Sequence, residues 1–360
     1  DCACGIVTVS LSLDTLGIQN EQEYLMLLAS ISNTLLSMDG VRGVNVLVGG
    51  RSRSIESLPV GVQTQPYSGI TPAYAQFSAE QDYFLTSETG TITRTAVLYF
   101  PATVDDWLVP ELREITFDSS DYASALIRAL RNGPLENTCT TTAIPESVDL
   151  LVDNPVMEAT ASGERVLCLN FAPTLRSYLA LSGMEEWQML GSVVLTLCSF
   201  VPDLDAVRIR IGDDMITSCT IDGSEYAFAD GLIRRGDFDS LTGSTMTLYR
   251  PNSTGALDAV ERAVSMVRAA SPLSILYALI DEAQAGSEGR LVFPAEVYYE
   301  DILGVSVEDG IASVNLSANF YRQSQALDDA AERGVIYAIV NTLCELENIS
   351  GVRFYIEGLS

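Results

Sequence analysis

The stretch "NTLLSMDGVRGVNVLVGG" spans Asn33–Gly50, and "NTLCELENISGVRFYIEG" spans Asn341–Gly358. Laid over one another without a gap, they share Asn-Thr-Leu, Gly-Val and a closing Gly. They also share the alternation Val44, Val46, Val48 against Val352, Phe354, Ile356. Identity and period preserved together mark an internal repeat, and a repeat sets the fold before any local reading does. A third copy, "LTLCSFVPDLDAVRIRIG" (Leu195–Gly212), has the same helix end and alternating strand with one more residue in the turn.

Upstream of each helix lies a second strand pattern: "VTVSLSL" from Val7, "RVLCLNF" from Arg165 and "IASVNLSANF" from Ile311. The shared back half therefore reads strand, helix, strand. The second and third copies also share a front half. "TAVLYFP" (Thr95–Pro101) answers "TMTLYRP" (Thr245–Pro251), each strand ending at a proline that cannot donate to a ladder. An apolar helix pattern follows in each, "DYASALIRALRNGP" and "LSILYALIDEAQAGS". Gly133 supplies a left-handed cap to the first and Pro134 forbids its continuation. Another strand is expected in "AIPESVDLLV" and "VFPAEVYYEDI", entered through Pro145 and Pro294. One full unit is strand, helix, strand, strand, helix, strand: an α+β fold, with a mixed sheet and two helices on one face, repeated in tandem.

The second helices are amphipathic. Trp187, Leu190, Val194, Leu197 and Val201 form one stripe, and Ile336, Ile339, Val340, Leu343 and Leu346 its equivalent. Leu28, Ile31, Leu35 and Met38 make the stripe of the first copy. The expected organisation is residues 1–50 as the back half of a first repeat, 51–93 a linker or hairpin, and 94–213 a second repeat. Residues 214–244 follow as a linker or hairpin, then 245–360 as a third repeat. The segment "MITSCTIDGSEYAFA" is a hairpin turning at Asp222-Gly223. The first copy holds only its back half: the favoured expectation is a chain trimmed upstream, the alternative a half-unit that completes its sheet by another route.

Composition narrows the chemistry. All 20 basic residues are arginine; the chain of 360 residues has neither lysine nor histidine. That removes histidine bases and metal ligands and Schiff-base lysines. A formal charge of −28 argues against nucleic acid and anionic membrane surfaces, and no apolar run is long enough to span a bilayer. The seven cysteines are an odd number, so at least one lacks an internal partner. Cys198 and Cys344 fall in apolar helices as buried thiols, while Cys2 and Cys4 resemble half a metal site, with no second CxxC or histidine to complete it.

Carboxylate pairs abound: Asp105-Asp106, Glu185-Glu186, Asp213-Asp214, Asp328-Asp329, and Asp203 with Asp205. A glycosidase needs two acids about 5 to 9 Å apart across a cleft. These sit instead in turns and at helix starts, where acids are favoured on electrostatic grounds alone. "DFDSLTGS" (from Asp237) and "DLDA" faintly suggest a calcium loop without EF-hand spacing. No catalytic, cofactor-binding or metal-ligating residue is assigned.

In order and spacing, "VLYFP", "LIRALRNGP", "AIP", "VLCLNF" and "VLTLCSF…VRIRIG" resemble the GerM domain of spore-forming bacteria. The third copy repeats the pattern as "TLYRP", "VFP", "VNLSANF" and "IVNTLCELENISGVRFYIEG". The resemblance covers 94–213 and 245–360, with the back half at about residues 6–50. Its motif positions are Tyr99, Pro101, Gly133, Pro134, Pro145, Tyr249, Pro251, Gly286, Pro294, Asn315 and Ser317. The third copy departs at Ser287, which stands where Pro follows the helix-ending Gly, and at Arg250 in place of Phe100.

The resemblance implies an extracytoplasmic, often lipid-anchored protein without catalytic activity, similar in fold to the ring-building motif. Its partners would be itself or other envelope and sporulation proteins, with the membrane reached only through an upstream lipid anchor. The alternatives are an envelope ligand-binding module for peptidoglycan or a divalent cation, and a carboxylate-dyad glycoside hydrolase.

Overall fold

A computed structural model describes residues 2–12, 21–55, 58–67, 91–104, 106–118, 121–135, 139–145, 151–252, 254, 256–284, 293, 294 and 296–359. The chain forms two compact units, Asp1–Gly243 and Ser244–Ser360.

The first unit opens with β1 (Cys2–Ala3), β2 (Ile6–Leu11), α1 (Glu21–Leu36) and β3 (Gly43–Val48), then the short pair β4 (Ser54–Ile55) and β5 (Leu58–Pro59). It continues through β6 (Thr91–Pro101), β7 (Leu108–Asp118), α2 (Tyr122–Asn132), β8 (Val156–Ala159), β9 (Arg165–Phe171), α3 (Leu175–Ser182), α4 (Glu186–Phe200) and β10 (Ala206–Ile211). β11 (Asp214–Met215), β12 (Ser218–Ile221) and β13 (Ser224–Ala227) end it. The second unit has β14 (Gly243–Pro251), β15 (Leu257–Ser265), α5 (Met266–Ala269), α6 (Pro272–Gln284), β16 (Ile302–Glu308), β17 (Ile311–Leu316), α7 (Ala318–Ser324), α8 (Asp329–Cys344) and β18 (Gly351–Ile356). The fold is α+β, built of small mixed sheets.

The echo in the sequence is an echo in register. Three parallel pairs, each closed by a helical crossover, run in step: Ile6↔Gly43 to Leu11↔Val48, Val166↔Ala206 to Phe171↔Ile211, and Ile311↔Gly351 to Leu316↔Ile356. The residue after each closing strand turns back to the opening strand, Gly49 to Leu11, Gly212 to Phe171 and Glu357 to Leu316. All three take positive φ, 61°, 63° and 50°. Glycine meets that demand without strain; Glu357 meets it with a side chain that accepts the Ala318 N–H at 3.0 Å.

Each opening strand also carries an antiparallel neighbour on its other side: β1, β8 and β16. In the first and third copies the link is a two-residue turn, Cys4-Gly5 and Asp309-Gly310, with φ of 52° and 72° in one and 50° and 77° in the other. Both residues of a type I′ turn need positive φ, so Cys4 occupies a turn position. Asp222-Gly223 makes the same turn between β12 and β13.

The expected order survives with additions. A second strand, β7, pairs with β6 from Thr91↔Asp118 to Pro101↔Leu108, and α3 precedes α4. The strand expected in "AIPESVDLLV" is not the one that forms the ladder with β9 among the described residues. Ala143 and Ile144 are buried outside any strand, residues 146–150 lie outside the described residues, Leu151 makes a single bridge to Phe171, and the ladder partner of β9 is Val156–Ala159. In the second unit the chain turns at Pro294, where Val297 N–H returns to the Pro294 carbonyl, and the strand starts only at Ile302. A proline gives no ladder donor, and here the chain leaves the extended state just beyond it.

α4 is the centre of the first unit. The sequence suggests an amphipathic stripe, yet every residue from Met189 to Phe200 is buried. The hairpin β6–β7, α2, β10 and β12 surround it. At Gly191 an added Cβ would lie 2.5 Å from Leu108 Cδ1 and 3.1 Å from Phe238 Cδ1, so the covering layer comes too close for any side chain. Burial of Trp187, Leu190, Val194 and Leu197 removes each from water, worth about 1.5–3 kcal/mol per side chain. α8 keeps an open face, where Tyr337 is 56% exposed at the position equivalent to Gly191. In α1 the stripe ends before Met38, which lies past the helix and is exposed. Gly133 stops α2 at φ 80° and ψ 176°, a positive-φ geometry other than the left-handed helix expected.

One polar contact recurs between helix and hairpin. The Tyr99 N–H donates to Thr196 Oγ1 at 3.1 Å, and the Tyr249 N–H to Thr342 Oγ1 at 2.9 Å. Both threonines are 0% exposed, so each hydroxyl gives a buried strand N–H its acceptor. In the first copy the equivalent Thr34 is exposed and bonds within its own helix, while neighbouring Asn33 clamps the Tyr67 backbone through both ends of its amide.

Replacing Thr196 or Thr342 with Val keeps the shape and removes the acceptor. Each change is expected to destabilise its own unit by about 1–3 kcal/mol, read from denaturant unfolding. An unchanged midpoint in both variants would contradict the role given to the hydroxyl.

Candidate functional site

In four of the five carboxylate pairs at least one acid is engaged. Asp203 faces Arg53 at 2.7 Å and Arg165 at 4.0 Å, and Asp205 faces Arg51 at 2.6 Å. Asp205 also accepts the Arg165 N–H at 2.8 Å, and the Asp203 N–H donates to the Ser52 carbonyl. The two acids thus tie residues 51–53 to the turn before β10. Glu185 caps α4 and accepts the Trp187 indole N–H at 2.8 Å. Glu186 and Asp214 share Arg176. Asp328 caps α8 by accepting the Ala331 N–H at 2.8 Å. Asp105 lies outside the described residues. Asp237 accepts the Arg234 N–H and the Tyr226 hydroxyl, and Asp239 pairs with Arg235, so "DFDSLTGS" is committed to its own loop. Among the described residues no group of three or more acids or cysteines is placed to hold a metal.

The motif positions have structural tasks. Tyr99 and Tyr249 carry the strand N–H groups that meet Thr196 and Thr342, and Pro101 and Pro251 end β6 and β14. The Gly133 carbonyl accepts from Arg113 at 3.0 Å, and Pro134 and Pro145 are buried. Gly286 and Ser287 lie outside the described residues. Asn315 accepts the Gly358 N–H at 2.8 Å.

Ser317 belongs to a compact polar cluster. Its hydroxyl donates to Asp301 Oδ1 at 2.5 Å and accepts the N–H groups of Asn319 and Phe320, capping α7. Asp301 Oδ2 accepts the Tyr298 N–H at 3.0 Å and the Asn319 amide at 3.1 Å, and the Ser317 N–H returns to the Asp301 carbonyl. Pro294 precedes this segment, and the nearby Glu296 carbonyl receives the Asn319 amide at 3.0 Å. Burial of Asp301 alone would push its carboxyl up; the bonds from Ser317, Tyr298 and Asn319 outweigh it and hold the carboxyl below its ordinary range.

A second cluster sits behind α4. Arg235 donates to Ser199 Oγ and, at 3.3 Å, to the Tyr99 hydroxyl, pairs with Asp239 at 3.2 Å and lies over the Tyr99 ring. Burial disfavours its charge, but Tyr99 and Asp239 outweigh that and keep it firmly protonated. The Cys198 thiol, buried beside it, is pushed up to about 12 by burial, so it is an unreactive core group. Cys344, its equivalent, is half-buried.

An open cleft of about 490 Å³ lies in the first unit between α2 and residues 151–154. Arg128, Arg131, Asp121 and Asp153 line it. Arg128 pairs with Asp121 at 3.1 Å and Asp153 receives the Asn170 amide at 3.1 Å. It offers charge recognition without a nucleophile poised beside a base.

Large apolar side chains are open at sheet edges. On β8, Val156 is 53% exposed; on β16, Leu303 is 47% exposed and Val307 also faces solvent. Tyr298 and Tyr299 precede β16, and the Tyr299 ring packs tilted against Tyr277 with centroids 4.9 Å apart. No helix among the described residues is long and apolar enough to cross a membrane.

Residues 97–217 and 247–360 each match the family model described as Germane: sporulation and spore germination. Among solved structures the chain is similar to the tandem GerMN domains of the sporulation protein GerM from Bacillus subtilis. Identity is 17% and the TM-score 0.29, over 75% of this chain and 93% of that one. It is also similar to the first GerMN domain of that protein, at 17% identity and a TM-score of 0.27, over 40% of this chain and 100% of the other. No curated protein matches it.

Because the folded Asp301 carboxyl titrates below its unfolded value near ~3.9, the stability it lends is full above that pH. It is lost as pH falls through the lower folded value. Asp301→Asn is expected to cost the second unit about 1–3 kcal/mol at neutral pH and to flatten its stability loss in acid. Denaturant unfolding of both proteins down to about pH 2.5 checks this. Parallel pH curves for the two would contradict it.

Proposed function

We propose a function from one premise: the chain belongs to the Germane family of sporulation and spore germination. Within that process we assign it the role of a non-catalytic, extracytoplasmic scaffold that docks protein partners, itself or other envelope proteins. The observation that carries this reading is the pair of edge strands, β8 and β16, with apolar side chains open to solvent at Val156, Leu303 and Val307. An unpaired edge offers a row of backbone donors and acceptors, and apolar side chains on it favour pairing with another chain. The candidate acids support the same reading, since Asp203, Asp205, Glu186 and Asp214 are ion-pair partners and Glu185 and Asp328 stand at helix starts.

A second reading rests on the cleft beside α2. Arg128 and Arg131 suit a carboxylate-bearing envelope ligand such as a peptidoglycan stem. A rise in melting temperature with such a ligand, lost in Arg128→Ala, would favour it.

The scaffold reading is tested by light scattering over a wide concentration range, with and without envelope extract. A mass that rises to a defined assembly is expected, and the double variant Leu303→Glu, Val307→Glu should remove it. A monomer at every concentration and in extract would overturn the scaffold.

A further inference from the structure

The three closing strands differ in one respect. The outer edge of β3 is met at Val44 by Gln63: Val44 N–H donates to the Gln63 carbonyl at 2.8 Å and receives the Gln63 N–H at 2.9 Å. The outer edge of β10 is met at the equivalent Val207 by Ile233, with the same exchange at 2.8 and 2.9 Å. In both cases the partner belongs to the segment that follows the closing strand. At Val352, the equivalent position of β18, no bridge forms among the described residues, and β18 is the last strand of its sheet. Val44 and Val207 are fully buried, whereas Val352 is half-buried.

The contrast extends to the neighbouring helix. In the first unit the segment after Ile233 crosses the outer face of α4. Arg235 reaches Ser199 and the Tyr99 hydroxyl, and the Phe238 ring rests on Gly191. In the second unit Glu345 stands at the position of Ser199, exposed, with the Tyr249 hydroxyl donating to it at 2.7 Å. Tyr337 stands at the position of Gly191 and faces solvent. Two of the three side chains that hold Arg235 in the first unit, Ser199 and Tyr99, therefore have counterparts in the second, and the neutral serine has become a carboxylate. A guanidinium there would gain a charge-assisted bond.

We propose that the outer edge of β18, together with Glu345 and Tyr249, is a docking site for an extended protein segment. The occupant has a strand-forming apolar residue that exchanges backbone bonds with Val352 and an arginine two residues later that reaches Glu345. It is the kind of segment that Leu232–Arg235 provides in the first unit, supplied by a partner protein. The inference rests on the scaffold reading and adds a surface to the β8 and β16 edges named there. Parallel crossovers leave such an edge, and β-strand addition at it draws affinity from the main chain and specificity from the flanking side chains.

The test uses the full chain and a fluorescent peptide of Ala229–Phe238. The expected result is saturable binding with chemical-shift change and slowed exchange at the Val352 amide, and no change at Val44 or Val207, whose edges are already filled. The same peptide N-methylated at Ile233 should lose binding. Glu345→Gln, an exposed change, should weaken the parent peptide and leave an Arg235→Ala peptide unaffected. Equal binding of the N-methylated peptide, or shifts elsewhere than β18, would overturn the proposal. Protection of Val352 that grows with protein concentration, with the peptide adding nothing, would put a second copy on the edge and overturn the occupant named. A chain that assembles in scattering yet ignores the peptide sinks this inference alone; a chain that never assembles in buffer or extract sinks the scaffold reading beneath it.

Discussion

A strand laid parallel to its predecessor by a helical crossover always arrives with one edge unpaired. Its backbone groups on that side need partners as much as those facing the sheet do. This constraint organises the whole chain. In the first two copies the segment after the closing strand turns back and fills the edge at one equivalent residue, Val44 or Val207. Residues in the segments expected as linkers or hairpins thus bridge to the sheets they follow. Their ion pairs, Arg51 with Asp205 and Arg53 with Asp203, act at surface positions where such pairs are worth little singly. They select the path of the connector more than they stabilise it.

The second element of the design is the junction between helix and hairpin. A helix of leucine and valine slides easily over an apolar strand, because dispersion and burial have no direction. A single threonine hydroxyl under the strand N–H of Tyr99 or Tyr249 fixes where the two meet. Around that fixed point the units diverge. The first wraps α4 completely, down to the bare Cα of Gly191, while the second leaves Tyr337 and Glu345 in solvent. The same frame yields one closed unit and one with an open face.

Much of this was legible in the residues. The alternation at Val44, Val207 and Val352, the type I′ turn at Asp222-Gly223 and the α+β class follow from period and turn chemistry, both local properties. Strand β7 was hidden because Pro110 lies inside it, and proline argues against a strand; here it pairs opposite Tyr99, whose N–H is turned to Thr196 instead. Cys2 and Cys4 resembled half a metal site, and the turn at Cys4-Gly5 went unread because cysteine is no usual turn residue. The all-round burial of α4 and the pairing of Asp203 and Asp205 depend on residues far away in sequence, which periodicity cannot see. The motif serine and asparagine, Ser317 and Asn315, could be named but not explained without Asp301 and Gly358 beside them.

The central claim is that three equivalent strand edges are treated differently: two are filled, and the third has no bridge among the described residues. Native-state hydrogen exchange at the amides of Val44, Val207 and Val352 in dilute protein tests it most directly. The account expects Val44 and Val207 to exchange only as slowly as their unit opens, and Val352 to exchange far faster than its ladder neighbours that bond to β17. Protection of Val352 equal to that of the other two would contradict it.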